Sequence, residues 1–298
     1  MRALLLATVA ASALSALAPG QDANAAPFIS SSAYGLSVDL TFSGSATQYG
    51  PIASVEGGAP PAYDESRTVA RLSDALSLAP GSPANPTLRI DAADITTRAA
   101  SPGFGVDFIS AHGETDLGSV GLVLATNPAP PAGLGLLGLS LSASDVRSRA
   151  DFSTLFGANR NFATGGASFG SLTLGGALIG TTLTFSGDAA ANTVLFSSDT
   201  ATVTLDRQSV ASLISCTVGA GCTTTPVGIT TDALDIQLRD ASLFDGVVSG
   251  DIIIGQSFAG RTAPDGGQPI PEPTGLALLG TGLAGLLVAR RRRRREAA

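Results

Sequence analysis

The chain has 298 residues, 44% of them hydrophobic but only 5% aromatic, with 14% charged and a formal net charge of −7. All 17 basic residues are arginine, and Arg2 and Arg290 to Arg295 sit at the two ends, so the stretch between them is more acidic still. That balance argues against nucleic acid and anionic lipid as partners of the body, because like charges repel, while the length suffices for one large β domain or two small ones with a real core.

At the amino end, Met1-Arg2 supplies a short positive region, Ala3 to Ala18 an apolar one, and Ala23-Asn24-Ala25 a small-x-small site. The pattern predicts a secretory signal peptide over 1–25, threaded through a Sec-type translocon and cut by signal peptidase after Ala25 or Ala26, to leave Ala26 or Pro27 as the mature start. Pro19, Gly20, Gln21 and Asp22 break the apolar run before it is long enough to span as an anchor.

The exported part, 26–268, reads as β. Leu36, Val38, Leu40 and Phe42 alternate with polar or small residues. So do Leu88 and Ile90, Leu172 and Leu174, Leu183 and Phe185, Val203 and Leu205, and Leu234, Ile236 and Leu238. Period two is the period of half-buried strands. Turn-formers punctuate the runs at Gly57-Gly58, Pro60-Pro61, Pro80-Gly81, Pro130-Pro131, Gly165-Gly166, Gly175-Gly176 and Gly187-Asp188. The predicted fold is mainly β, an antiparallel β-sandwich, with helix admitted around Ser66 to Leu78 or Ser144 to Phe156.

Candidate chemistry in this part is thin. His112-Gly113-Glu114-Thr115-Asp116 gathers three potential ligands in five residues, but such clusters are usually exposed loops, and no metal is assigned. Gly166-Ala167-Ser168-Phe169-Gly170 fits G-x-S-x-G, yet the sole histidine lies upstream and the following residues read as strand. Gly133 to Gly138 has dinucleotide-loop spacing without the strand–helix pattern such a loop requires, and reads as a strand beside the Pro130-Pro131 turn. No catalytic residue and no cofactor are expected. Cys216 and Cys222, five residues apart in an exported chain, are expected to close a disulfide.

The carboxyl end, 269–298, is organised as a signal. Ile270-Pro271-Glu272-Pro273 is followed by an uncharged run, 274–289, and then by Arg290, Arg291, Arg292, Arg293, Arg294 and Arg295. A sixteen-residue helix rises to about 24 Å, slightly under a bilayer core of about 30 Å, and spans it with local thinning. The arginines stop transfer and stay cytoplasmic. Pro271 and Pro273 hold the preceding backbone extended, the shape a protease cleft grips, and Glu272 offers a charge to a cationic pocket. Ala277, Thr281, Gly285 and Ala289 form a small-residue stripe that composition alone explains.

Pro271-Glu272-Pro273, the adjoining Gly/Ala/Leu-rich helix and the arginine cluster together resemble the PEP-CTERM sorting signal of Gram-negative bacteria. The resemblance covers about a tenth of the chain and departs only in having Ile270 where valine is commoner. It implies recognition by an exosortase, a membrane-embedded transpeptidase-like protease, and association with exopolysaccharide. Ser32-Ala33-Tyr34-Gly35-Leu36 and Pro60-Pro61-Ala62-Tyr63 also resemble the choice-of-anchor exported domains, which implies a portable surface module without naming a ligand.

These readings converge on a non-enzymatic surface or matrix protein. It is exported through the inner membrane, held by a transient single span, then processed and delivered to the cell surface, the extracellular matrix or the medium. Two other classes stay open: an adhesin, carbohydrate binder or ice binder using a Thr-bearing face around Thr181, Thr182 and Thr184, and an exported hydrolase.

Overall fold

The structure is a computed structural model that describes residues 29–80, 86–103, 108–126, 137–155, 160–217, 221–243 and 246–261. Contacts divide the chain into a unit ending at Thr262 and a second one, 263–298. The signal segment with Ala25 and Ala26, and the whole carboxyl-terminal signal, lie outside the described residues. Among the described residues no helix is long and apolar enough to cross a membrane.

Those residues form thirteen strands and no helix. They are β1 (Ile29–Phe42), β2 (Ser45–Ile52), β3 (Val55–Ala59), β4 (Tyr63–Ser77), β5 (Pro86–Ser101), β6 (Phe108–Thr126), β7 (Leu137–Leu155), β8 (Arg160–Gly175), β9 (Leu183–Ala189), β10 (Thr193–Ser197), β11 (Ala201–Thr217), β12 (Gly221–Leu243) and β13 (Gly246–Arg261). One antiparallel sheet runs β10-β11-β12-β13-β1-β2 with β3 also on β1, and the other runs β4-β5-β6-β7-β8-β9. The chain starts in the first sheet, meanders through the second and returns, so that β13 closes against β1 with Ile29 opposite Arg261. Short turns suit such a meander. Ser43 and Gly44, both with positive φ, make the two-residue turn between β1 and β2 that matches strand twist.

The sheets pack face to face, β1 and β13 over β5 to β7 and β12 over β7 and β8. Every alternating pair read from the sequence points at this core. Leu36, Val38, Leu40, Phe42, Leu88, Ile90, Leu172, Leu174, Val203, Leu205, Leu234, Ile236 and Leu238 are buried, and Leu183 and Phe185 pack partly buried against them. A second, smaller apolar cluster gathers Ile29, Ala59, Ile109, Ala111, Ala150, Phe152, Ile229 and Ala259.

Near the second cluster lies a belt of buried small and hydroxyl residues. Thr115 Oγ1 of β6 donates to the Gln256 carbonyl of β13 at 2.9 Å, and the Ser148 and Ser257 hydroxyls, from β7 and β13, lie 2.7 Å apart. In this belt Gly113 leaves room for the opposite backbone and Gly165 for Thr231.

Each sheet is also interrupted along one row. The ladder passes over Ala70, Asp94, Gly118, Asp145 and Gly170 in one sheet and Gly35, Gly255, Ala233 and Asp206 in the other, while the register on either side is unchanged. Asp94, Asp145, Asp206 and Gly255 have φ of 54°, 49°, 48° and 65°, a left-handed conformation that aspartate and glycine tolerate best. The side chains of Asp94 and Asp145 lie over Gly118 and Gly170, where an added Cβ would come within 3.0 Å of Asp94 and 2.5 Å of Asp145. Each kink reverses the inward phase of its strand. In β7, Leu139, Leu141 and Ala143 face the core before it, and Val146, Ser148, Ala150 and Phe152 after it.

Three expectations are corrected. The segments admitted as helix, Ser66 to Leu78 and Ser144 to Phe156, are strand as far as Ser77 in β4 and Leu155 in β7, with Phe156 outside the described residues. The phase reversal explains why, since Val69, Leu72 and Leu76, and Ala143, Val146 and Ala150, acquire three- and four-residue spacings that imitate a helix. Gly57-Gly58, Gly165-Gly166 and Gly187-Asp188 lie within β3, β8 and β9 rather than at turns. Gly57 is a seat for the Tyr63 ring. Finally, His112 to Asp116 is part of β6 and not a loop.

Candidate functional sites

The outer face of the second sheet carries a cross-strand ladder of charges. His112 Nδ1 lies 2.9 Å from Asp151 Oδ1 and its Nε2 3.3 Å from Glu114 Oε2. Arg149 donates through Nε to Asp151 at 2.6 Å, Arg147 bonds Asp116, and Arg98 grips Asp64 with two bonds of 2.7 Å. All of this follows from register: His112 stands opposite Asp151, Glu114 opposite Arg149 and Asp116 opposite Arg147. His112 is thus held between Asp151 and Glu114, and Asp116 is engaged by Arg147; no metal-binding cluster occurs among the described residues. Such largely exposed pairs add little to stability, because solvent screens them.

The imidazole of His112 titrates above its ordinary range, held up by the bond to Asp151 against its partial burial, with Glu114 assisting. Burial pushes Asp151 up, but the bonds from His112 and Arg149 outweigh it and hold the carboxyl below its usual value. A raised histidine pKa stabilises the fold fully below the unfolded value of about 6.5, and the contribution is lost as pH rises through the folded value. His112→Gln should therefore lower the urea midpoint at pH 5.5 and match the parent at pH 8.5.

Beside this ladder, a groove of about 520 Å³ follows the kink row and is lined by Asp94, Asp116, Asp145, Arg147 and Asp188. Ser168 also borders it, in mid-β8, where the strand continues through the G-x-S-x-G pattern. A nucleophile elbow needs a sharp strand-to-helix turn, so this serine is not set up as one. Of the glycine-spaced segment, Leu137 and Gly138 open β7, and 133–136 lie outside the described residues.

A second charged group, not foreseen from the residues alone, lies on the outer side of the first sheet. Tyr34, Gln256, Asp232 and Arg207 stand in one row across β1, β13, β12 and β11, and Asp235 follows just beyond the kink at Ala233. Asp232 and Asp235 are both buried. Asp232 accepts from Gln256 Nε2 at 2.7 Å and Asp235 from Arg207 Nη1 at 2.8 Å, while Asp235 Oδ1 has no hydrogen-bond partner. Burial pushes Asp232 up to about 6, opposed by the Gln256 bond and the nearby Arg207 and reinforced by Asp235. Burial likewise raises Asp235 and, with help from both carboxylates, the Tyr34 phenol. The signal available was only an Asp-x-x-Asp spacing inside an apolar alternation, which reads as ordinary outward residues.

At the far end of β11 and β12, Cys216 and Cys222 stand directly opposite one another. Pro271, Glu272, Pro273 and Arg290 to Arg295 lie outside the described residues, and comparison with known families bears on them instead. Residues 269–294 match the PEP-CTERM protein-sorting motif. The PEP-CTERM match spans the proline–glutamate–proline tripeptide, the apolar run and the arginines up to Arg294. It marks an exported chain addressed to an exosortase, with membrane-anchored processing toward the cell surface. No curated protein matches the chain.

Proposed function

We propose that this is a non-enzymatic surface or matrix protein. Its signal peptide is removed at Ala25-Ala26 and its body crosses the inner membrane. The 274–289 helix holds it transiently, with Arg290 to Arg295 on the cytoplasmic side. An exosortase recognises Pro271-Glu272-Pro273 and releases the β domain to the envelope, the exopolysaccharide or the medium. The PEP-CTERM match carries this reading. The antiparallel pairing of Ile29 with Arg261 supports it, since the first and last described residues of the β unit stand side by side.

The C-terminal peptide mass of the native protein, taken separately from membrane, surface and medium, tests the reading. A terminus between Pro271 and Thr274 in the released fractions is expected, and Pro271→Ala with Pro273→Ala should leave only the full-length, membrane-held form. Arg290 to Arg295 retained in every fraction would replace release with a permanent anchor.

Cys216 and Cys222 form a disulfide in this reading, supported by their opposed register and the oxidising destination. Native protein should take up two alkylating groups only after reduction, and Cys216→Ser with Cys222→Ser should cost about 2 kcal/mol.

A second reading, a binding module, is favoured by one observation: Thr184, Thr173 and Ser142 continue one outward row across β9, β8 and β7, beside the hydrogen-bonded Ser144 and Ser171. Thr181 and Thr182 are exposed just ahead of β9. Co-sedimentation of the protein with its own exopolysaccharide, lost in Thr173→Val with Thr184→Val, would favour it over the first.

A further inference from the structure

β11 and β12 outrun their neighbours. β10 pairs β11 only as far as Leu205, and β13 joins β12 from Gly228 onward, so Ala211–Thr217 and Gly221–Val227 project as a two-stranded ribbon. Residues 208–231 carry no charged side chain, in a protein whose body is otherwise acidic. Leu213 and Ile214 are 61% and 70% exposed. Being consecutive in a strand they point to opposite faces, so no single covering surface would bury both. Phe108 and Phe162, also exposed, stand at the same end of the second sheet, where Asn161 Nδ2 donates to the Pro226 carbonyl at the ribbon's base.

That end is also where the chain leaves for the sorting motif. β13 ends at Arg261, beside the ribbon's base, and the residues 262–270 that precede Pro271 reach at most about 30 Å when extended. The ribbon itself projects roughly 24 Å, at about 3.4 Å per residue over Gly221–Val227. Its reach and the tether's are therefore commensurate. An acidic body is repelled by anionic headgroups, which leaves the charge-free ribbon as the part that approaches them.

Resting on the anchored state proposed above, we propose that the ribbon strands Ala211–Thr217 and Gly221–Val227 make a second membrane contact, with Leu213 and Ile214 seated at the lipid surface while the tail holds the domain there. The seat is interfacial. Among the described residues both ribbon edges lack a neighbouring strand, and such backbone groups find hydrogen bonds among headgroups and water but not in the hydrocarbon core. Apolar groups on both faces suit an edge-on dip into that layer, and each buried side chain favours it in proportion to the area removed from water. The contact keeps the tripeptide's surroundings close to the membrane until processing and is given up afterwards.

The chain has no tryptophan, so single substitutions report without background. Full-length Ile214→Trp and Val247→Trp are reconstituted into phosphatidylethanolamine–phosphatidylglycerol vesicles, with and without lipids brominated in the upper acyl chain. Val247 is 41% exposed and opens β13 at the opposite end of the sandwich. Ile214→Trp should shift to shorter wavelength and be quenched by the brominated lipid, and Val247→Trp should do neither. If carbonate washing leaves the chain in the vesicles and Ile214→Trp is unquenched, the ribbon contact is wrong and the anchor stands. Shielding from aqueous quencher without lipid quenching would place a second copy or another protein on the ribbon instead. Release of the chain by carbonate would remove the anchor, and the ribbon proposal with it.

Discussion

Gly113→Val is expected to destabilise the domain by about 3 kcal/mol or more, at the upper end of what overpacking costs. Gly113 faces inward from β6, between Ala99 and Ala150, at the belt where the sheets approach most closely. A Cβ there would stand 2.6 Å from the Phe258 carbonyl oxygen and 2.7 Å from that of Ser32. Both obstacles are backbone, on β13 and β1, and neither yields as a side-chain tip does. Relief requires the two sheets to separate, which also stretches the neighbouring bond from Thr115 to the Gln256 carbonyl. Gly166→Ala is the control. It lies three residues from Ala163 on the outer phase of β8, and an added methyl there meets nothing within 4 Å, so it should be neutral or gain a few tenths of a kcal/mol from a stiffer unfolded chain. Urea unfolding of both variants checks the contrast, and equal midpoints would remove the belt's special status.

What the sequence disclosed of this fold depended on where the kinks fall. Leu36 to Phe42 and Leu234 to Leu238 lie wholly on one side of the interrupted row, so their alternation is unbroken and reads directly as strand. Strand β7 crosses the row at Asp145, and its inward residues jump from Ala143 to Val146. A single left-handed residue thereby turns a period of two into a false period near 3.6. Nothing local in Ser144-Asp145-Val146 distinguishes the kink from a helix start, because the same aspartate is a good cap. Gly165 misled for a related reason: glycine marks both turns and close approaches, and only the Thr231 hydroxyl across the sandwich decides between them.

The sites divide in the same way. Pro271-Glu272-Pro273 and its arginines were legible because a sorting signal is read as a linear order of segments and needs no fold to assemble it. That Cys216 and Cys222 stand opposite one another was legible because antiparallel neighbours bring residues together in sequence order. For His112, Glu114 and Asp116 only register could reveal the partners, since the residues opposite them, Asp151, Arg149 and Arg147, come from β7, more than thirty residues away. Asp232 and Asp235 were illegible as a pair. Their joint burial depends on Ala233 lying in the kink, which places both carboxylates on the same outer side of the sheet at a spacing of three.

Asp232→Asn is expected to stabilise the protein at pH 8, by roughly 2 kcal/mol, rather than weaken it. The folded-state pKa of Asp232 is raised to about 6, above an unfolded value near 3.9. The folded protein therefore binds this proton more tightly than the unfolded chain, and stability rises as pH falls through 6 until both states are protonated near 4. Above pH 7 the ionised carboxylate sits buried beside Asp235 with one bond from Gln256, a cost of about 3 kcal/mol at 1.36 kcal/mol per pKa unit. Asparagine keeps an oxygen for Gln256 and carries no charge, and it also relieves Asp235, whose partner Arg207 is then less contested. The variant's advantage should shrink through pH 6 and vanish near pH 4, where the parent is neutral as well. Urea midpoints of the two proteins at pH 8 and pH 3.5 decide the matter. Separation at pH 8 with convergence at pH 3.5 is expected, whereas a variant weaker than its parent at pH 8 would mean that the row from Tyr34 to Arg207 holds the carboxylate as an anion and depends on its charge.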